Sequence, residues 1–503
     1  MNNYYVNSFL WSTAAKLINA LLNFISLPIL LRQFGIDNYG VLTLAIATNA
    51  YMSLLDLGIN TGSIKHFAQW REKKRFDLIK RVAGTSISFY GIIGILNALL
   101  LLTIAFWGSS WFQLTQDQFA QYRISLFILA GFAVINWGSS VFVQLLTAAE
   151  KISYIQRLNI LKTLTVFILI WITVWFDLTI NEYFFFFILI NSILFIPYYI
   201  LSRKIGMIDR WQPLFYWKDF GHVLKYSLAI FIMAIFQATA TQSRPIVLGF
   251  VAENAATTLA EYRIIEVFPL FIISICGAMI GILLPKSAQH IARGDQAAIE
   301  RFAYTGTRYT SILTTLICIP IMLCAYELIT VYVGLDFGYL SKWLVLWTFT
   351  LLLNLYNSPI SSLILATGRT RMLVYSSAIA CIISIIVNVV LCRFYGVGSA
   401  VIGYFVYILI QQGFYYCYFN TRIMKLNSWT VLRMFIVPTG IGLALFLCIS
   451  WLDIDLGSTN RFYLILQGFL KGAIWLFLFL TVICSFKILR LSDLKNWLVL
   501  KSH

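Results

Sequence analysis

The stretch Phe236-Gln-Ala-Thr-Ala-Thr-Gln-Ser-Arg244-Pro-Ile-Val-Leu248 lies inside a long apolar run, Tyr226 to Val251, that predicts a membrane-spanning helix. A cation within such a helix costs about 2.5–3.5 kcal/mol on insertion scales, so Arg244 needs water, a partner or a ligand. Gln237, Thr241 and Arg244 recur at helical spacing and give this helix one polar face. We interpret that face as the lining of a hydrophilic cavity. The alternative is an arginine that snorkels to the interface or bonds a backbone carbonyl.

The composition indicates a polytopic membrane protein. Of 503 residues, 60% are hydrophobic and only 11% are charged, which is too few charges to cover the surface of a soluble protein. The net charge of +17 also fits a nucleic-acid-binding protein, but in a membrane protein excess Lys and Arg usually fix the cytoplasmic loops. The eight cysteines lie in or beside apolar runs without metal or disulfide spacing, which favours a packing role. We expect no removable signal peptide, because the uncharged start has no obvious cleavage site.

Apolar windows of bilayer length predict an all-α fold with about fourteen transmembrane helices. The fifth and sixth are separated by only Asp177-Leu-Thr-Ile-Asn-Glu182. Six Lys and Arg lie in odd-numbered loops, against 28 in even-numbered loops and the C-terminal tail. The positive-inside rule therefore places both termini in the cytoplasm and argues against nucleic acid as a partner. The windows are 9–31, 41–61, 84–107, 124–146, 160–176, 183–202, 226–251, 264–285, 309–331, 343–366, 372–392, 396–418, 432–452 and 462–486.

An internal repeat relates two halves of the chain. Leu27-Pro-Ile-Leu-Leu31 in the first helix resembles Arg244-Pro-Ile-Val-Leu248 in the seventh, 217 residues later. At an offset of 218, Asn136 aligns with Asn354 and Ala148-Ala-Glu-Lys151 with Ala366-Thr-Gly-Arg369. Six helices separate the copies, which predicts two parallel six-helix repeats with a site between them. We therefore expect an N-lobe (residues 1–202), a cytoplasmic linker that acts as a hinge (203–225), a C-lobe (226–418), and two added helices with a cytoplasmic tail (419–503).

Polar faces on several helices supply candidate substrate-binding residues. In the first helix, polar residues step by three or four from Ser12 to Ser26, a stripe that we interpret as cavity lining. The fourth and tenth helices carry amides and hydroxyls, and Pro359 is predicted to kink the tenth. For each of these residues singly, ordinary helix–helix hydrogen bonding is the alternative. Lys471, one turn after Gln467, either extends the cationic surface or snorkels. The candidates are Lys16, Asn19, Asn23, Asn136, Gln237, Thr241, Arg244, Asn354 and Lys471.

Three carboxylates near or within the membrane are candidates for a coupling proton or cation, namely Asp56, Glu266 and Glu327. Asp56 lies in Leu55-Asp-Leu-Gly-Ile59 at the end of the second helix, where capping or pairing is the alternative. Glu266 follows Arg263 by three residues on the eighth helix, a spacing that favours an ion pair.

Nothing in the sequence supports enzymatic chemistry. No pair of carboxylates, His/Cys cluster, P-loop or nucleophile elbow occurs in a suitable context, and the four histidines lie in cytoplasmic segments. We therefore expect a transporter rather than an enzyme, without cofactor or metal.

Short motifs that follow several helices resemble the polysaccharide-transporter (Wzx-type) flippases of the multidrug/oligosaccharidyl-lipid/polysaccharide (MOP) exporter superfamily. The resemblance covers helices one to twelve and implies a MATE-like arrangement of two lobes. Members often carry an Asp before the basic residue of the seventh helix, where this chain has Ser243, which argues against cation coupling there. The motifs are Phe34-Gly-Ile-Asp-Asn-Tyr-Gly40, Asp56-Leu-Gly-Ile59, Leu283-Leu-Pro-Lys-Ser287, Gly294-Asp295 and Leu365-Ala-Thr-Gly-Arg369.

The resemblance implies a flippase for undecaprenyl-diphosphate-linked oligosaccharide, an O-antigen or capsule repeat unit, in the bacterial cytoplasmic (inner) membrane. The basic residues are consistent with this, because a diphosphate in a low-dielectric region needs opposite charge and hydrogen bonds. The candidate coupling ions are H+ and Na+, and the candidate partner proteins are a glycan polymerase and a chain-length regulator. The alternatives are a lipid II flippase, a multidrug extruder, for which a basic cavity is repulsive, a glycan polymerase or ligase, which needs a large external loop, and a scaffold.

Overall fold

The computed structural model describes residues 2–56, 58–280, 287, 291, 294–367, 371–452 and 460–486. Within these residues the chain forms helices and no strands, so the predicted all-α fold is confirmed. The α-helices are α1 (Asn2–Phe34), α2 (Ile36–Met52), α3 (Ile59–Glu72), α4 (Phe76–Trp107), α5 (Gln116–Ala148), α6 (Ile152–Phe176), α7 (Ile180–Ile193), α8 (Phe195–Lys204), α9 (Trp217–Val251), α10 (Ala255–Ile280), α11 (Gln296–Leu323), α12 (Ala325–Val333), α13 (Ser341–Leu355), α14 (Ser358–Ala366), α15 (Arg371–Tyr395), α16 (Val397–Phe414), α17 (Ser428–Trp451) and α18 (Arg461–Ser485).

Ten helical segments of the described residues are long and apolar enough to cross a membrane. They coincide with ten of the fourteen predicted spans. The other four predicted spans, the second, seventh, eighth and tenth, contain α2, α9, α10 and the pair α13 and α14. The chain is therefore a multi-pass membrane protein by the length and composition of its helices, while the count of fourteen and the cytoplasmic termini stay predictions.

The short break predicted between the fifth and sixth spans is present between α6 and α7. α6 ends at Phe176, and Asp177 adopts a left-handed conformation with φ of 50°. Thr179 then caps α7, because its side chain accepts from the backbone of Glu182 while the Glu182 side chain accepts from the backbone of Thr179. This reciprocal capping box satisfies donors that a helix start leaves unpaired.

Four other predicted spans are interrupted inside the apolar run: the sixth at Leu194, the ninth at Cys324, and the second and tenth as follows. α2 gives way to a 3-10 turn, Ser53–Asp56, before α3 begins at Ile59. α13 ends at Leu355, and Pro359 occupies the first turn of α14. Proline fits the first turn of a helix because its missing N–H has no partner to lose there. The predicted effect of Pro359 on the tenth span is thus confirmed.

The first of two compact units comprises Met1–Val267 and Leu373–Gly403. Its core joins fully buried aromatic side chains of α3, α4, α5 and α9, namely Phe67, Tyr90, Phe142 and Phe220. Met207 and Ile208 of the predicted linker are buried in the same core. α9, which carries Arg244, and the part of α10 up to Val267, which carries Arg263, belong to this unit.

The second unit comprises Phe268–Met372 and Tyr404–His503. In it, α11 packs against α13, α14, α17 and α18. Trp475 of α18 is fully buried, and its indole Nε1 donates to the carbonyl of Gly442 in α17 at 3.0 Å. The two helices predicted as an addition to the repeat are therefore packed into this unit. The boundaries of the predicted lobes are untested and stay predictions.

Candidate substrate-binding site

The polar stripe of α1 is accessible along much of its length. Lys16, Asn19 and Asn23 are exposed, and the Asn23 amide donates to the Asn19 side chain at 3.2 Å. Ser26, at the far end of the stripe, is buried and donates to the carbonyl of Leu22 in its own helix. The first three side chains therefore lie at the surface of the described structure, and their role in substrate binding stays a prediction.

A cavity of about 90 Å³ lies in the first unit where this stripe ends, among α1, α2, α6, α7 and α10. Its polar lining is formed by Asn23, Ser26, Tyr39 and Arg263. The rest of the lining is aliphatic and aromatic and includes Tyr183, Phe184 and Phe187 of α7. The cavity thus combines hydrogen-bond donors and a guanidinium with a wall that offers no competing charge.

The guanidinium at this cavity is held from two sides. Arg263 Nη1 forms an ion pair with Glu266 Oε2 at 2.6 Å, which is the i,i+3 pair predicted for this helix. Arg263 also forms a hydrogen bond with Tyr39 of α2. The Tyr262 hydroxyl donates to the other Glu266 oxygen at 3.1 Å, so both carboxylate oxygens are engaged. This network orients Arg263 at the cavity wall.

Arg244 lies in the same unit and supplies a second cation. It is only 7% exposed, and its Nε donates to the carbonyl of Ala240 one turn earlier at 3.1 Å. It also interacts electrostatically with the Tyr262 hydroxyl, so it belongs to the network around Glu266. The bond to Ala240 agrees with the interpretation that Arg244 bonds a backbone carbonyl. Its position beside a polar cluster is compatible with the other interpretation, that it lines a cavity, which stays a prediction. Thr241 is exposed, whereas the Gln237 side chain lies outside the described residues.

Two predicted asparagines take part in contacts between helices. Asn136 of α5 accepts from the Ser192 hydroxyl of α7 at 2.8 Å. Asn354 of α13 is exposed and donates to the Tyr404 hydroxyl of α16 at 3.2 Å. These bonds are the interhelical contacts that were the alternative to substrate binding for each residue. A role in substrate binding stays a prediction for both.

In the second unit, Lys471 of α18 and Glu327 of α12 form a buried ion pair. The Lys471 Nζ lies 2.6 Å from Glu327 Oε1, and Gln467 donates to the same oxygen at 3.0 Å. Sequence reasoning had placed these residues in separate roles, as a substrate-binding cation and a coupling carboxylate. The structure brings them together, 144 residues apart in the chain.

The third candidate carboxylate, Asp56, lies in the first unit at the break between α2 and α3. Its Oδ1 accepts from the Tyr90 hydroxyl of α4 at 2.5 Å, and its Oδ2 accepts from the backbone of Asn60 at 3.2 Å. The Asn60 bond is the capping contact that was the alternative to ion coupling, so the structure permits both roles.

Sequence reasoning missed Arg263 and Tyr39 as cavity residues. The predicted eighth window begins at residue 264, whereas α10 begins at Ala255, which places Arg263 two turns inside a helix. The available signal was the same as for Arg244, a cation next to a long apolar run. Tyr39 carried no such signal, because a tyrosine near a membrane boundary is common.

A family model described as "Polysaccharide biosynthesis protein" matches residues 5–290, more than half of the chain. No curated protein sequence matches. Among solved structures, the lipid II flippase MurJ in an inward closed conformation is similar, with a TM-score of 0.74 and 13% identity over 95% of this chain and 100% of that one.

Two further solved structures have the same fold. A multidrug resistance MATE family transporter of the MOP superfamily, inward-facing, has a TM-score of 0.61 at 14% identity over 87% of this chain and 96% of that one. A MOP superfamily transporter from Pyrococcus furiosus, described as having a binding pocket of reverse polarity, has a TM-score of 0.56 at 12% identity over 85% and 96%. At these identities the likeness shows the fold alone. The family match and these folds confirm the predicted resemblance to the polysaccharide transporters and their MOP-type fold.

Proposed function

Because the chain belongs to the polysaccharide biosynthesis protein family, we propose that it is a flippase for lipid-linked oligosaccharide. The substrate is undecaprenyl-diphosphate that carries an O-antigen or capsule repeat unit. The protein moves it from the inner to the outer leaflet of the bacterial cytoplasmic membrane by alternating access of its two repeats. A glycan polymerase and a chain-length regulator then act on the exported unit.

The observation that carries this proposal is the guanidinium of Arg263 at a cavity inside transmembrane helices. A diphosphate that leaves water needs charge-assisted hydrogen bonds in place of its hydration. The cavity of about 90 Å³ has room for about three water molecules at roughly 30 Å³ each. We therefore assign it one phosphoryl group of the substrate rather than the sugars.

The charges around the cavity favour an anion. Arg244 and Arg263 carry two positive charges, and Glu266 offsets one of them. A guanidinium has five N–H donors, and the bonds to Glu266 and Tyr39 use two of them. The remaining donors of Arg263 suit phosphate oxygens, which arginine binds in a planar, bidentate geometry.

The accessible part of the α1 stripe suits the sugars. Asn19 and Asn23 offer amide donors and acceptors for hydroxyl groups, and Lys16 adds a charge at the start of the path. The polyprenyl tail stays in the bilayer, where it needs no polar contact.

The same chemistry serves a lipid II flippase, which differs in the lipid that accumulates when the protein is lost. A multidrug extruder fits less well, because the guanidinium of Arg263 at the cavity repels a cationic drug.

The test is made in a deletion strain complemented with variants at equal membrane abundance. Loss of the protein is expected to abolish surface glycan and to accumulate lipid-diphosphate-linked oligosaccharide on the cytoplasmic face. The first double variant, Arg263→Gln with Glu266→Gln, removes the cation without leaving an unpaired carboxylate. The second, Lys16→Ala with Arg244→Ala, removes the other two cations. We expect either pair to lower export about 10- to 150-fold, the worth of one hydrogen bond to a charged group. Glu266→Gln alone keeps the Arg263 cation but removes the carboxylate that orients it, so its export should fall less than that of the double variant.

Arg32→Gln is the matched control, because Arg32 is exposed at the end of α1 and does not line the cavity. Normal surface glycan in the Arg263/Glu266 double variant would remove Arg263 from the mechanism. Unchanged surface glycan in the deletion strain, with increased drug sensitivity, would favour the extruder. Accumulated lipid II with arrested growth would favour the lipid II flippase.

A further inference from the structure

We infer that Asp56 binds the proton that couples to transport, and that Tyr90 and Gln144 form a hydrogen-bond chain that reverses its direction when the proton binds. The inference rests on the proposed transport function. It also selects one of the three carboxylates that the sequence marks as coupling candidates.

The three carboxylates differ in their partners, which are cations for two of them and neutral donors for the third. Glu266 lies 2.6 Å from the guanidinium of Arg263, and Glu327 lies 2.6 Å from the ammonium of Lys471. Either would give up an ion pair in a region of low dielectric when it takes up a proton. Asp56 instead accepts from two neutral donors, the Tyr90 hydroxyl and the Asn60 backbone. It is the candidate that can change charge without breaking a salt bridge.

The chain that starts at Asp56 runs into the core of the first unit. Tyr90 is fully buried and stacks on Trp137, with ring centroids 5.9 Å apart and planes at 20°. Gln144 of α5 is also fully buried, and its Nε2 donates to the Tyr90 hydroxyl at 2.8 Å. The hydrogen bonds therefore point in one direction, from Gln144 through Tyr90 to Asp56. Asp56 itself is half-buried, so part of its carboxyl lies at the surface of the first unit.

Gln144 provides the means for the chain to reverse. Its Oε1 is buried and has no hydrogen-bond partner. When Asp56 takes up a proton, its new O–H can donate to the Tyr90 oxygen, and the Tyr90 O–H can donate to Gln144 Oε1 after the amide turns over. Both protonation states then keep two hydrogen bonds, and both leave one atom of the Gln144 amide unpaired. The proton taken up remains on Asp56, so no other group changes charge.

The other titratable groups on α3 and α4 lie farther along the helix from Asp56 or form contacts with other residues. Lys65 and His66 lie more than a turn beyond Asn60 on α3, and the His66 ring packs against Trp70. Lys80 and Arg81, at the start of α4, form ion pairs with Asp209 and Asp219. α9 approaches Gly58 through the backbone of Ser227 and Phe231. The side chains of His222, Lys225 and Tyr226 on α9 lie outside the described residues.

The position of Asp56 suits a coupling group. It ends the 3-10 turn that follows α2, and Tyr39 near the start of α2 bonds Arg263 at the cavity. The two ends are roughly 25 Å apart along a helical path. Loss of the charge on Asp56 weakens its bond to the Asn60 backbone, which fixes the start of α3 against the turn. A proton at one end of α2 can thus move the helix that contacts the phosphate site.

The experiment uses the full-length protein in two measurements. Infrared difference spectroscopy follows the carboxyl band of Asp56 as pH is changed, without substrate. Proteoliposomes loaded with undecaprenyl-diphosphate-linked oligosaccharide then report the flipping rate with and without an imposed proton gradient. The variants are Asp56→Asn, Tyr90→Phe and Gln144→Met. The control is Ser86→Ala, because buried Ser86 on the same helix as Tyr90 bonds the carbonyl of Val82 in that helix.

The component of the carboxyl band that the wild type has and Asp56→Asn lacks belongs to Asp56; it should be present in Ser86→Ala and displaced in Tyr90→Phe. The stimulation of flipping by the gradient should fall about 5- to 150-fold in Asp56→Asn, the usual range of coupling between two sites. A carboxyl band in Asp56→Asn identical to that of the wild type, or a gradient response equal to that of the wild type, would overturn the inference.

If Asp56→Asn does not fold, Tyr90→Phe and Gln144→Met test the inference instead. Both variants keep Asp56 and break the hydrogen-bond chain. If both variants respond to the proton gradient as the wild type does, the hydrogen-bond chain has no role in coupling. If the wild-type protein flips the lipid at the same rate with and without the proton gradient, proton coupling is overturned but the proposed flippase function is not. Absence of flipping by the wild type would overturn the proposed function and, with it, the coupling.

Discussion

The ion pair of Lys471 and Glu327 shows what a buried charge requires of its neighbours. Lys471 is 16% exposed and Glu327 is 5% exposed, so neither is well hydrated. Gln467, one turn before Lys471, donates to the same carboxylate oxygen. The pair joins α18 to α12 in the second unit, whose helices also pack through Trp475. A buried pair is strongly destabilised when one partner alone is removed, because the other charge is left uncompensated.

We therefore expect Glu327→Gln and Lys471→Gln to destabilise the protein by about 3–5 kcal/mol each. The double variant should lose less than either single variant, because two amides can bond each other and no charge remains. Thermal unfolding in detergent measures the three against the wild type. Losses that simply add in the double variant would show that the two side chains do not stabilise the fold as a pair.

These residues also show which contacts a single sequence can predict. The pair of Arg263 and Glu266 was predictable, because both lie on one helix at a spacing that brings side chains together. The pair of Lys471 and Glu327 was not, because 144 residues separate them and no local rule connects the two helices. The same limit applies to Asp56 and Tyr90 and to the bond of Arg263 to Tyr39. The free-energy cost of a charged side chain in a membrane identifies candidate residues in the sequence. It does not identify the residues that pair with them.

The linker between α8 and α9 packs closely along the start of α4. The backbone of Leu214 donates to the Gly84 carbonyl at 3.1 Å, and Ser88 donates to the Leu214 carbonyl. The backbone of Tyr216 donates to the Thr85 hydroxyl at 3.1 Å. A Cβ at Gly84 would lie 2.5 Å from Leu214 Cδ1 and 2.9 Å from its Cβ, so this position has no room for a side chain.

Gly84→Ala should therefore destabilise the protein by about 1–3 kcal/mol through overpacking. Gly91→Ala is the matched control on the same helix, where a Cβ meets nothing within 4 Å. That control should stabilise by about 0.5–1 kcal/mol, since alanine costs less backbone entropy than glycine in a helix. Thermal unfolding and the rate of protease cleavage within residues 205–216 measure both. Equal behaviour of the two variants would mean that the linker does not depend on contact with Gly84.

The elements differ in how far the sequence predicts them. Apolar windows predict the helices because a bilayer requires continuous apolar length, and the turn at 177–182 and Pro359 are visible as polar residues and proline. The break after Met52 is not visible, because Ser53-Leu-Leu-Asp-Leu-Gly58 continues an apolar window. Its cause is tertiary. Gly58 has a φ of 71° and lies against the backbone of Ser227 and Phe231, while Tyr90 holds Asp56.

The topology of the protein depends on whether ten or fourteen helices cross the membrane. The ten segments that meet the criteria of length and apolarity leave out the second, seventh, eighth and tenth predicted spans. Removal of four crossings keeps both termini on one side, so the location of the C-terminus alone cannot distinguish the counts. The loops that flank those four spans can, because each crossing changes the side of the membrane.

We expect fourteen crossings with both termini in the cytoplasm. In a variant without the eight native cysteines, single cysteines at Glu72, Glu150 and Arg210 should be labelled by an impermeant maleimide only after the cells are permeabilised. Cysteines at Glu253 and Asp336 should be labelled in intact cells, because the seventh and ninth loops then face outward. The basis is the distribution of Lys and Arg, with 28 on the predicted inner side and six on the outer side. Protection of Glu253→Cys in intact cells would show that the span containing Arg244 does not cross, and would remove the polar face of α9 from any path through the membrane.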